Sequence, residues 1–175
     1  MAGIGHELNF EKDDSDRKTV LPAAPEPIIL RLEPVIRMTQ SCYVEIMGEL
    51  ANRPPEAGGM LLGPADDDLV THYIPDVNAK ATAASFTLDA AGLNKVLAQF
   101  RECGMNAKGL VHSHPRGCVS PSVGDIEYVR KSLANAKNQA ASRFLLPIVC
   151  GKHLYPYIIT RGERDEAVIA LLLLV

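Results

Sequence analysis

Apolar residues recur at helical spacing in three stretches and gather into short runs elsewhere. Tyr43, Val44, Met47, Leu50 and Ala51 fall on one helical face. With Thr39 before them as N-cap and Pro54-Pro55 as terminator, they predict a first helix over 40–52. Leu93, Val96, Leu97 and Phe100 predict a second from Asp89 to Cys103, and Gly104 follows where a left-handed residue closes a helix. Ile126, Val129, Leu133 and Ala136 predict the inner face of a third, from Val123 to about Ala140. Runs at 28–32, 35–36, 58–63, 69–74, 108–111, 144–149, 154–160 and 168–174 predict strands, with turns at Asp66-Asp67-Asp68 and Gly151-Lys152. The expected fold is an α/β (α+β) domain over residues 28–175, a mixed sheet flanked by about three helices. Residues 1–27 carry many charges and then Pro22, Pro25 and Pro27. Such a segment buries too little to offset its ordering entropy, so a flexible acidic, Pro-rich tail is expected.

Composition narrows the class. The chain has 175 residues, 47% hydrophobic and 22% charged, the mix of a globular domain that needs no disulfide or metal for stability. Its formal net charge of −3 argues against a dedicated nucleic-acid binder. The cysteines at 42, 103, 118 and 150 form no C-x-x-C pair, which excludes a zinc ribbon and a thioredoxin-like motif. Cys42, Cys103 and Cys150 are expected to pack as small apolar residues. The N-terminus lacks an apolar core of signal-peptide length, and the apolar run from Ala167 to Val175 is far shorter than the roughly 20 residues that span a bilayer. That run is expected to be a buried strand, and the protein to be cytoplasmic, with no membrane partner.

Chemistry concentrates in Gly-Leu-Val-His-Ser-His-Pro-Arg-Gly-Cys-Val-Ser-Pro-Ser-Val-Gly-Asp, residues 109–125. His112 and His114 are two apart at the end of a predicted strand, so both imidazoles project from one face. A Pro/Gly/Ser-rich loop then leads to Asp125 in the first turn of a helix. Two histidines and a carboxylate make a three-ligand zinc site whose fourth position stays open, the arrangement of catalytic zinc. Such a site needs a base that is not itself a ligand, and Glu56, at the mouth of Ala-Gly-Gly-Met-Leu-Leu-Gly, is the candidate. Ser122 is placed to donate to an oxyanion. Ser122-x-x-Asp125 is equally a capping box, a role compatible with ligation. His6, His72 and His153 have no ligand spacing to a partner.

These residues resemble the signature of the JAB/MPN domain metalloproteases, the JAMM group. That signature is an upstream Glu, then H-x-H followed by seven residues of which the first is Pro, then Ser and x-x-Asp. The chain has Glu56 in E-x-G-G-x-L-L-G, His112, His114-Pro115, Ser122 and Asp125. The resemblance implies one Zn2+ per chain on His112, His114 and Asp125, water activation by Glu56 and intermediate stabilisation by Ser122. It further implies cleavage of a peptide or isopeptide bond after the C-terminus of a ubiquitin-like protein. Size and simplicity resemble members encoded in antiphage operons beside ubiquitin-like conjugation machinery, whose activating and conjugating enzymes would be further partners. Linkage-reading insertions have little room between Asp68 and Phe144. Cys118 lies inside the loop, but the pattern does not require it. Three alternatives remain: a RadC-like JAB protein linked to DNA repair, which shares the motif and is disfavoured by the acidic balance; a non-catalytic MPN scaffold, a class that often lacks the ligands and is disfavoured by retention of all five positions; and a protease on a small-molecule conjugate or sulfur-carrier protein, which shares the chemistry and differs in substrate.

Overall fold

The computed structural model describes residues 33–51, 56–82, 85–162 and 166–175. The expected tail and the strand expected at 28–32 lie outside the described residues. The elements, in order, are β1 (Val35–Met38), α1 (Gln40–Leu50), β2 (Gly58–Pro64), β3 (His72–Pro75), β4 (Lys80–Thr82), β5 (Ser85–Thr87), α2 (Ala90–Glu102) and β6 (Met105–Ser113). Then follow α3 (Val123–Ala134), β7 (Arg143–Leu145), β8 (Ile148–Cys150), β9 (His153–Tyr155), β10 (Tyr157–Thr160), β11 (Ala167–Ile169) and β12 (Leu171–Leu174). A mixed α/β domain with three helices is what the hydrophobic pattern predicts.

An eight-stranded sheet runs β11-β10-β7-β6-β2-β3, with β8 beside the far end of β6 and β9 beyond it. β6 is its spine. It pairs antiparallel with β2 and parallel with both β7 and β8. Alternation along the spine sorts the core. Val111 and Leu61 pack against α1 residues Cys42, Ile46 and Leu50 on one face. Met60 and Leu62 on the opposite face meet Leu93 and Leu97 of α2, with Leu110 packed alongside. Ile148 and Ile159 meet Val129 and Leu133 of α3. From Gly109 onward, odd-numbered β6 residues thus face α1 and even-numbered ones face the α2/α3 side, where His112 must also point; the register shift before Gly109 puts Met105 on the α2 side as well.

Several expectations are corrected. The third helix ends at Ala134, short of Ala140. Asn135 takes an extended conformation and its side chain accepts from the Lys137 amide to start a separate 3-10 turn, which leaves Ala136 exposed. The buried face of α1 is Cys42, Ile46 and Leu50, whereas Val44 is 57% exposed. The runs 144–149 and 154–160 are each divided by a proline, Pro147 and Pro156, which lack the N–H that a ladder needs. The last apolar run is no buried strand. It changes sheets at Ala170, β11 pairing with β10 and β12 with β1, and leaves Val168, Ile169, Leu171 and Leu173 exposed. Cys103, expected in the core, caps α2 and is exposed. The β4–β5 hairpin was not expected at all.

Candidate metal centre

His112 sits near the end of β6, flanked by Gly58 of β2 and Ile148 of β8. Gly58 is needed there: a Cβ at that position would lie 2.5 Å from the Val111 carbonyl and 2.7 Å from the His112 Cβ. His114 stays on the extended line because its amide donates to the Val149 carbonyl at 2.8 Å. Both imidazoles therefore face the same side, and both residues are buried. Pro115 and Cys118 close a turn (amide to carbonyl, 3.0 Å) with Gly117 at φ 89°, a left-handed position suited to glycine. The turn aims the Cys118 carbonyl at His114 Nδ1, 3.1 Å away. Nδ1–H donating there leaves the Nε2 lone pair for a ligand.

Ser122 opens α3 with a reciprocal capping box: its Oγ accepts from the Asp125 amide, and its own amide donates to Asp125 Oδ2 at 2.7 Å. The box fixes the Asp125 carboxylate against the histidines. His112 Nε2 lies 2.9 Å from His114 Nε2 and 3.2 Å from Asp125 Oδ1, and His114 Nε2 lies 3.4 Å from Oδ2. These spacings fit a shared cation, since tetrahedral zinc with bonds of about 2.0–2.1 Å sets its donors about 3.3 Å apart. The donor chemistry, two imidazoles and a carboxylate, fits as well. His112, His114 and Asp125 are thus a group able to hold a metal ion.

Electrostatics follow the same contacts. Burial works against ionisation of Asp125, but hydrogen bonds from His112, His114 and Ser122 outweigh it and hold the carboxyl well below its usual range. Burial likewise disfavours a charged His114, yet the Asp125 carboxylate, the Cys118 carbonyl and the Glu56 charge together raise its pKa.

The group opens onto a cavity of about 530 Å³. Glu56, Ser122, His112, His114 and Asp125 all line it, so the five residues singled out in the sequence converge on one space. Three further residues contribute that the motif alone did not reveal. Ser113, pointing the opposite way from the histidines, accepts from the Ala57 amide at 3.0 Å, while its own amide donates to the Ala57 carbonyl at 2.7 Å. These bonds anchor the residue after Glu56 to the ligand strand. Thr87 and Leu88, just beyond the hairpin, form a wall. Alternation within His-Ser-His could have flagged Ser113; nothing local flags the hairpin.

Fold and site together define an α/β domain that carries a His-His-Asp metal-binding group at the end of its central strand. The chain belongs to a family of that kind: the model for prokaryotic homologs of the JAB domain matches residues 40–169. The JAB domain family includes JAMM hydrolases, and its prokaryotic members can be non-catalytic. Solved structures with the same fold include protein DSY2949 from Desulfitobacterium hafniense, at 19% identity and TM-score 0.60, covering 81% of this chain and 92% of that one. A protein from Salinibacter ruber is similar at 20% identity and TM-score 0.52, covering 79% and 91% respectively. The search of curated proteins returned no match. No helix among the described residues is long and apolar enough to cross a membrane.

Proposed function

We propose that this protein is a zinc-dependent isopeptidase or peptidase that cleaves after the C-terminus of a ubiquitin-like protein, releasing it from a conjugate or precursor. The observation that carries this reading is the convergence of Glu56 and Ser122 on the cavity that holds the His112, His114 and Asp125 donors. When bound by those three residues, zinc supplies Lewis acidity toward water and a substrate carbonyl. Glu56 takes the proton from the attacking water and returns it to the leaving amine. Ser122 Oγ already accepts from the Asp125 amide, so its O–H is left to donate to the developing oxyanion. Cys118 acts through its carbonyl by fixing the His114 tautomer.

The test is a ubiquitin-like protein fused to a C-terminal reporter, offered to wild type and to Glu56→Gln. Wild type is expected to release the reporter and to carry one zinc per chain. Glu56→Gln should keep the zinc and lose about 10²–10⁴ of the rate. A Glu56→Gln protein that cleaves normally would remove Glu56 from the mechanism. A protein that takes up no zinc would remove the whole site.

A further inference from the structure

A second cavity, of about 250 Å³, lies between α2 and α3 over the first half of β6. It adjoins the metal cavity, with Ala90, Leu110 and Tyr128 lining both. All three bounding elements point the same way. From those shared residues the groove follows α2 towards Arg101, β6 back towards Asn106 and α3 onward towards Lys137. Its floor is apolar, with Leu93, Leu97, Leu133 and Phe144. Its far end is basic: Arg101, Lys108, Lys137 and Arg143 line it, and no carboxylate does. Two of these cations are engaged, Lys108 with the Pro64 and Asp67 carbonyls and Arg143 with Asp68. Arg101 meets only the neutral Asn106 side chain, and neither Arg101 nor Lys137 forms an ion pair among the described residues.

We propose that this groove is the specificity channel for the substrate and that it selects an extended, acidic peptide segment. The inference rests on the hydrolase reading above and names the substrate chemistry of that same site. Length sets the register. Ala90 to Arg101 spans about 16 Å at 1.5 Å per helical residue, and an extended peptide covers that in about five residues at 3.3 Å each. Apolar side chains of the segment lie on the Leu93–Leu97 floor. A Glu or Asp about four to six residues from the scissile bond reaches Arg101 and Lys137. A basic side chain at that point meets two uncompensated cations and is rejected.

Binding tests the groove separately from hydrolysis. Fluorescein-labelled decapeptides with Glu at these positions, and the same peptides with Lys, are titrated by anisotropy into zinc-loaded Glu56→Gln. The Glu series is expected to bind about three- to tenfold more tightly, the size of two exposed charge contacts, with the preference fading as salt rises. Arg101→Glu/Lys137→Glu, two exposed surface changes that leave the core untouched, should invert the preference. Equal affinity for both series, or a preference that survives the double reversal, overturns the channel whatever the reporter fusion shows. If the charge preference is found but the reporter fusion is never cut, the groove stands and the hydrolase reading falls.

Discussion

Gly58→Ala tests whether the ligand geometry depends on close approach of β2 to β6. The added Cβ would lie 2.5 Å from the Val111 carbonyl and 2.7 Å from the His112 Cβ, well inside the 3.4 Å at which ordinary contact begins. Neither atom is the loose end of a flexible side chain, so the ladder itself must open by several tenths of an ångström. His112 moves with it, and its 2.9 and 3.2 Å spacings to His114 and Asp125 widen. Alanine in place of strand glycine should by itself stabilise by about 0.5–1 kcal/mol. Overpacking opposes this by about 1–3 kcal/mol, so the net expectation is destabilisation by up to about 2 kcal/mol. For a chain of this size that lowers Tm by up to about 8 °C. Zinc affinity should fall about 10–100-fold, as when other supports of a ligand are lost. The assay is competition with a chromogenic chelator, paired with a thermal melt of the metal-free protein. Gly48→Ala is the control: its Cβ meets nothing within 4 Å in the last turn of α1, so it should stabilise the protein and leave zinc affinity alone. Wild-type affinity and Tm in Gly58→Ala would refute the reasoning.

Ser122→Ala should cost about 0.5–2 kcal/mol in urea unfolding through the lost cap. Its catalytic rate should fall while zinc stoichiometry is kept, which metal analysis checks. With a thiol reagent near pH 8, Cys103 and Cys118 should label quickly. Cys42 and Cys150 should label only on unfolding, since burial, aided by Glu45, pushes the Cys42 thiol up to about 12. Metal-free protein should show a pH optimum of stability between the two site shifts. The lowered Asp125 pKa gives stability that is present above the ordinary carboxylate range and lost as pH falls. The raised His114 pKa gives stability that is present below about 6.5 and lost as pH rises through the folded value. Melts across pH 4–9 read both limbs, and zinc should reverse the upper one, because the metal competes with protons for the imidazoles.

What could be read from the chain follows how local each signal is. His112 and His114 are set by strand alternation, and Asp125 by a capping box four residues long, so all three were legible without the fold. The α2 stripe was legible because Leu93, Val96, Leu97 and Phe100 recur at helical spacing while the residues between them are small or polar. The α1 stripe was legible at Tyr43, Met47, Leu50 and Ala51, which pack on the core, but Val44 is an apolar residue on the exposed side, and Cys42 and Ile46 are more deeply buried than the stripe suggested. The end of α3 depends on Asn135 taking an extended conformation, a choice between two local hydrogen-bonding options. The β4 and β5 strands are three residues each with one apolar residue apiece, Ala81 and Phe86, too short an alternation to predict a pairing. The division of 167–175 between two sheets is set by partners distant in sequence, Tyr157–Ile159 and Val35–Met38, which no local pattern contains.

The metal donors all come from residues 112–125, a strand end, a turn and a helix start, whereas Glu56 arrives on a different strand. Holding the cation is therefore a short-range property of the chain, achieved by closing one small loop at little entropic cost. Bringing the base to it is a long-range property that exists only while β2 is zipped against β6. Opening β2 from β6 therefore acts twice: it loosens His112, against which Gly58 packs, and it withdraws the base, so reactivity is lost before all affinity for the ion is.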